Sequence, residues 1–305
     1  MSLAIENIII DLCNSNKPLL NSALAELSNL NTTELDAFTN SWMKINPSRR
    51  SQIIQRLVEL AEDNLELNFY SIFKYGLKDP EPEVKRWSIE GLWENEESSL
   101  IKPLITLLEQ DESEKVQETA VIALGKFALL AEYKKLHPDH ITIIQEALLT
   151  TIHSKNKTIE VRRRALEAVA PIGIPKVKGV IMEAYQSHHP KFKISSIHAM
   201  GKNCASEWLP ILIKELTSTD AEIRYEAAGA CGELEEEKAI PNLIKLTSDP
   251  DGDVQMATIQ ALGKIGGEQA KKCLQQCLDN SNEAIKQAAK QLLNEMEINE
   301  GQLPF

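Results

Sequence analysis

The chain has 305 residues and a formal net charge of −12, with 43% hydrophobic, 26% charged and only 5% aromatic residues. This is the balance of a folded protein too poor in aromatics for one thick core, and too acidic for a general nucleic-acid binder. The N-terminus lacks a basic n-region and no apolar run approaches the roughly 18 residues of a membrane span, so the sequence reads as cytoplasmic.

In chain order, helical patterns run near Ser2–Cys13, Pro18–Leu30, Thr33–Lys44 and Ser48–Glu62. Residues 1–46 are expected to form a helical N-terminal cap. Residues 47–78 are expected to form a degenerate first repeat, because Ile53, Leu57 and Ala61 keep the 0, +4, +8 spacing that recurs from residue 79 onward.

From residue 79 to 296 one pattern returns. A branched or apolar anchor is followed four residues on by a small residue, eight on by an apolar one and often nine on by glycine. The anchors are Val84, Val116, Val161, Phe192, Ile223, Val254 and Ile285, and all but one of the gaps are 31 or 32 residues. A fixed period of this size predicts an all-α fold, an α-solenoid of stacked helix pairs. In the unit at Ile223, Thr219-x-x-Glu222 reads as a capping box. Ile223, Ala227 and Cys231 form the buried stripe, and Gly232 serves as helix end or close contact. Pro103, Pro210 and Pro241 open second helices, and Leu104, Leu212, Leu243 and Leu274 anchor them at +20. The exceptional 45-residue gap predicts an insertion near 127–152, a longer helix pair broken at His137-Pro138-Asp139-His140. Residues 297–305 read as a polar tail.

The units Val161-Arg162-Arg163-Arg164-Ala165, Ile223-Arg224-Tyr225-Glu226-Ala227 and Val254 to Gly263 resemble HEAT repeats, specifically short bacterial ones of the phycobilisome-lyase type. The resemblance implies a HEAT/armadillo-like superhelix with the first helix of each pair on the concave side. It implies no single function, since such repeats serve scaffolds, enzymes and DNA-binding proteins. Deoxyhypusine hydroxylase, built on these repeats, holds iron with His-Glu dipeptides, and none occurs here. Nucleotide-binding, zincin and nucleophile-elbow motifs are missing too, so no catalytic residue, metal or cofactor is expected. A bilin-lyase-like accessory role is implied by the repeat type alone. Cys13, Cys204, Cys231, Cys273 and Cys277 contain no CxxC pair and read as reduced core thiols.

If the first helices line a groove, offsets +2, +3, +6 and +10 face it. The candidate partner-binding residues there are Arg86, Trp87, Ile122, Arg163, Arg164, Ile194, His198, Lys202, Tyr225 and Met256, several too apolar for a solvated face. Residues 155–202 form a basic island of net charge +7 containing Lys155, Lys157, Arg162, Arg163, Arg164, Lys176, Lys178, Lys191, Lys193 and Lys202. The motif's first arginine, Arg162 or Arg224, is expected to tie adjacent repeats together. The leading expectation is a non-catalytic scaffold gripping an acidic or mixed-charge protein or peptide. The alternative is binding of nucleic acid or a phosphate group through the basic island, opposed by the acidic arms on either side.

Overall fold

A computed structural model of the protein describes residues 3–280 and 282–301, so Met1, Ser2, Ser281 and Gln302–Phe305 lie outside the described residues, and with them the expected helix start at Ser2. Among these, every regular element is a helix. Two compact units divide the chain, Met1–Val161 and Arg162–Phe305.

The first unit contains α1 (Leu3–Cys13), α2 (Asn21–Ala25), α3 (Thr32–Trp42), α4 (Pro47–Asp63), α5 (Tyr70–Gly76), α6 (Pro82–Gly91), α7 (Ile101–Gln110), α8 (Glu114–Glu132) and α9 (Pro138–His153). The division falls inside α10 (Ile159–Val169). The second unit continues with α11 (Pro175–Tyr185), α12 (Pro190–Asn203), α13 (Leu209–Glu215), α14 (Ala221–Leu234), α15 (Ile240–Leu246), α16 (Gly252–Ile265), α17 (Gly267–Cys277) and α18 (Glu283–Gly301). In both units the helices stack as the antiparallel pairs of an α-solenoid. First helices pack side by side, α4, α6 and α8 in one unit and α12, α14, α16 and α18 in the other.

The period sets what is buried. All seven anchors are buried, as are the small +4 residues Ser88, Ala120, Ala165, Ser196, Ala227, Thr258 and Ala289. The +8 residues Leu92, Leu124, Val169, Met200 and Leu262 are buried too, and Cys231 fills the same slot, its thiol pushed up to about 12 by desolvation. Each fully buried aliphatic side chain contributes about 1.5–3 kcal/mol, so the stripe is the main source of stability.

The +9 glycines are contact residues, not helix ends. A Cβ on Gly201 would stand 2.8 Å from the Ala230 Cα, and one on Gly232 would stand 2.8 Å from the Ala261 Cα. The helices run on past these glycines and close one turn later, at +12. There Cys204 (φ 52°) and Glu235 (φ 53°) take the left-handed helical conformation, and Gly266 takes a positive φ of 71° with an extended ψ of −159°. Cys204 is thereby exposed, against the expectation of a core thiol. The N-cap of α14 is Asp220, whose carboxylate accepts from the Glu222 N–H at 3.0 Å, so Thr219 does not form the expected box. A complete capping box occurs instead at Asn31 and Glu34, opening α3.

A second device recurs five residues before an anchor. Asp79, Asp111, Ser187, Ser218, Asp249 and Asn280 each accept, through the side chain, the N–H two residues on. The +1 side chain of the preceding repeat reaches this turn where it can. Arg224 forms a bidentate pair with Asp249, both bonds 2.8 Å, and donates to the Ser218 carbonyl at 2.9 Å. Lys85 pairs with Asp111 in the same way. The Arg162 guanidinium lies 5.1 Å over the ring of Phe192, the next repeat's anchor.

At the N-terminal end, buried Arg49 donates to the Leu12 and Lys17 carbonyls, and buried Arg50 to Asp79, which also accepts from the Trp42 indole. These bonds fasten α1 and α3 to α4 and the turn after α5. Where one helix was expected over Pro18–Leu30, α2 is five residues long, because Asn29 turns left-handed and bonds the Asn68 carbonyl at 2.8 Å. The long repeat comes from extra length in α8 and a full helix α9. The chain breaks over Tyr133–His137, and Pro138 opens α9 with His137 as its cap. At the other end α18 continues to Gly301, so residues 297–301 are helix where a tail was expected.

Candidate functional site

In the second unit side chains of α12, α14 and α16 converge. His198 and Lys202, Tyr225, Glu226, Gly229 and Glu233, and Ala257, Gln260 and Lys264 line a recess of about 210 Å³. They occupy the +2, +3, +6 and +10 offsets of three successive repeats. The side-by-side contact that puts them together depends on Gly201 and Gly232. Gly229 has open space where a Cβ would be and leaves the floor bare.

The recess is lined by ion pairs. The Glu233 carboxylate accepts from Lys264 at 2.7 Å and lies 3.4 Å from Lys202. Burial alone would raise its pKa, but the two lysines outweigh it and hold the carboxyl below its usual range. His198 Nδ1 lies 3.1 Å from Glu226, and that hydrogen bond raises the imidazole pKa against the opposing pull of burial. Tyr225, 44% exposed, stands between this recess and a wider one of about 530 Å³ lined by Glu222, Asp251, Asp253 and Met256. The wider recess and its acids Glu222, Asp251 and Asp253 were not among the expected site residues. Their signal was the acidic first turn of each repeat, which reads equally as helix capping.

The remaining expected groove residues lie apart from this recess. Arg163 and Arg164 both turn onto Glu167, at 3.2 and 2.8 Å, and the Ser195 hydroxyl donates to the same carboxylate at 2.6 Å. Ile194 is half-buried, as is Met256 beside the wider recess. In the first unit Trp87 is half-buried with the Arg86 guanidinium 4.1 Å over its ring, and Arg86 is paired with Glu83 and Glu90. Ile122 is exposed.

The basic island is largely paired within the protein. Lys178 meets Glu207 at 2.8 Å, Lys193 meets Glu215 at 3.1 Å, and Lys202 meets Glu233. Lys157, in the first unit, donates to the Leu108 carbonyl at 2.6 Å and so caps α7. Lys155, Lys176 and Lys191 are exposed. Among the described residues no group of three or more His, Cys, Asp or Glu side chains is placed to hold a metal ion, and no helix is long and apolar enough to cross a membrane.

No curated protein sequence matches the chain. Among solved structures, Kap121p bound to Ste12p is 16% identical over 98% of this chain and 39% of its own, with a TM-score of 0.54. Kap121p bound to Nup53p is 15% identical over the same shares, with a TM-score of 0.53. The chain thus spans about two-fifths of Kap121p, and at these identities the likeness is one of fold. Human deoxyhypusine hydroxylase is 16% identical over 96% of each chain, but its TM-score of 0.33 is too low to argue from. The HEAT repeats family matches residues 72–157 and 209–294, together more than half of the chain. The paired helices, their period and that match agree: the chain belongs to the HEAT-repeat family.

Proposed function

We propose that this protein is a non-catalytic interaction scaffold that holds a partner protein or peptide on the exposed face of its first helices, in the cytoplasm, where its unpaired cysteines would stay reduced. The observation that carries the reading is the recess on α12, α14 and α16. Three repeats contribute equivalent slots to one concavity, with an exposed tyrosine at its edge and a bare glycine floor. Tyrosine presents a large rigid surface at low entropic cost, which is why it anchors interfaces. Kap121p, similar in fold, is itself bound to Ste12p and to Nup53p.

The phosphate-binding alternative is supported less well. Arg163, Arg164, Lys178, Lys193 and Lys202 each already face a carboxylate, and releasing them would cost the interactions they make.

A photo-reactive amino acid placed at Tyr225 tests the scaffold reading in cells, with one at exposed Gly179 on α11 as control. The expected result is a defined protein adduct from position 225 that position 179 does not give. Adducts of equal pattern from both positions would contradict the reading.

A further inference from the structure

The longest helix of the first unit leaves an apolar stripe uncovered. α8 buries Val116, Ala120, Leu124 and Phe127, yet Ile122, Leu129 and Tyr133 are 44%, 41% and 64% exposed. With Lys126 between them they are spaced by four, three and four residues, which puts them on one helix face. Lys126 turns its ammonium back onto the Trp93 carbonyl, 5.8 Å from that residue's ring centroid, so the 46% exposed Trp93 stands beside the stripe. A merely solvated helix face carries charge, and contiguous exposed apolar side chains mark an interaction surface.

Three glutamates adjoin the stripe along the chain: Glu118 lies one turn before Ile122, Glu132 precedes Tyr133 and Glu94 follows Trp93. Residues 78–154 carry a net charge of −7. Lys134 and Lys135 close only the far end.

We infer that the stripe on α8 docks an amphipathic helix of a partner protein whose apolar face is bordered by lysine or arginine. This rests on the scaffold reading and adds the chemistry of the occupant. From Ile122 to Tyr133 the stripe runs about 16 Å, three helical turns, which suits a helix offering anchors at i, i+3 or i+4, and i+7. Its basic border meets the glutamates, whereas an acidic helix or an anionic leaflet is repelled by them.

The test uses the full chain and a labelled leucine–lysine helix of about 18 residues, long enough to be helical when bound. A leucine–glutamate twin and phosphatidylcholine–phosphatidylserine vesicles serve as comparators. The lysine probe is expected to bind. The Ile122→Asn, Leu129→Gln double variant should weaken it about tenfold or more. Glu94→Lys with Glu132→Lys should weaken it and flatten its salt dependence, and neither comparator should bind. Trp93→Gln, a substitution outside α8, should also weaken it if the double variant proves unfolded. Unchanged binding by folded variants, preference for the glutamate twin, vesicle binding lost in the double variant, or self-association lost in that variant would each overturn the proposal. Loss on Tyr225→Ala but not on the α8 variants would move the probe to the second unit. That result would end this proposal and leave the scaffold reading standing.

Discussion

The two units use the outward positions of one repeat in different ways. In the second, α12, α14 and α16 present His198, Lys202, Glu226, Glu233 and Lys264 as internal ion pairs around a glycine floor, with Tyr225 at the rim. In the first, α8 and its C-cap present Ile122, Leu129 and Tyr133 to solvent, with Glu118 and Glu132 near them in the chain. The buried positions keep the same spacing in both. The difference teaches that in this fold the inward offsets are constrained by packing against two neighbours, while the outward offsets are constrained only by what the surface meets.

The largest effect should come from the inward offsets. Gly232→Leu forces a side chain into the Ala261 backbone and should destabilise the second unit by about 3 kcal/mol, seen as faster hydrogen exchange in α14 and α16. Next comes the inter-repeat clasp. Asp249→Ala strands a half-buried guanidinium and should cost about 2–4 kcal/mol in urea unfolding. Hydrogen bonding by Arg224 holds the Asp249 carboxyl below its usual value. A depressed folded-state pKa stabilises above the unfolded value, about 3.9, and that contribution is lost as pH falls through the folded one. Asp249→Asn should therefore flatten the acid side of the stability profile. Preservation of that slope in the variant would break the clasp account.

The outward offsets should matter far less to folding. Ile122→Asn with Leu129→Gln should change stability by about 1 kcal/mol or less, in contrast to any core position of α8. Gly229→Ala, three residues before Gly232 on the same helix, should stabilise by about 0.5–1 kcal/mol while narrowing the recess. The smallest effect concerns His198. Its pKa is raised by Glu226, so its contribution is fully present below the unfolded value, about 6.5, and is lost as pH rises through the folded one. The pair is partly solvated, so His198→Gln should remove less than about 1 kcal/mol of stability near pH 6 and nothing at alkaline pH.

Much of this was legible in the sequence because period and burial are coupled. The anchors, the +4 and +8 stripe and the +20 leucines are all buried, whereas of the ten expected groove residues only His198, Lys202 and Tyr225 line the recess in the second unit. What the residues alone concealed depends on distance between chain-remote groups. Gly232 looks like a helix terminator until Ala261 is seen against it. Arg163 and Arg164 look like free charge until Glu167 is seen to hold both. Ile122 sits at the shared offset +6, but Leu129 at +13 and the capping Tyr133 at +17 lie beyond the offsets that the other repeats share, because α8 ends 16 residues past its anchor where α12, α14 and α16 end 11 past theirs.

The central claim is that partners are held on the exposed faces of first helices. It is tested most directly by hydroxyl-radical footprinting of the protein, free and bound to whatever partner position 225 captures. The account predicts protection of Tyr225 and Met256, with the outward faces of α13, α15 and α17 unchanged. Protection confined to those second helices would contradict it.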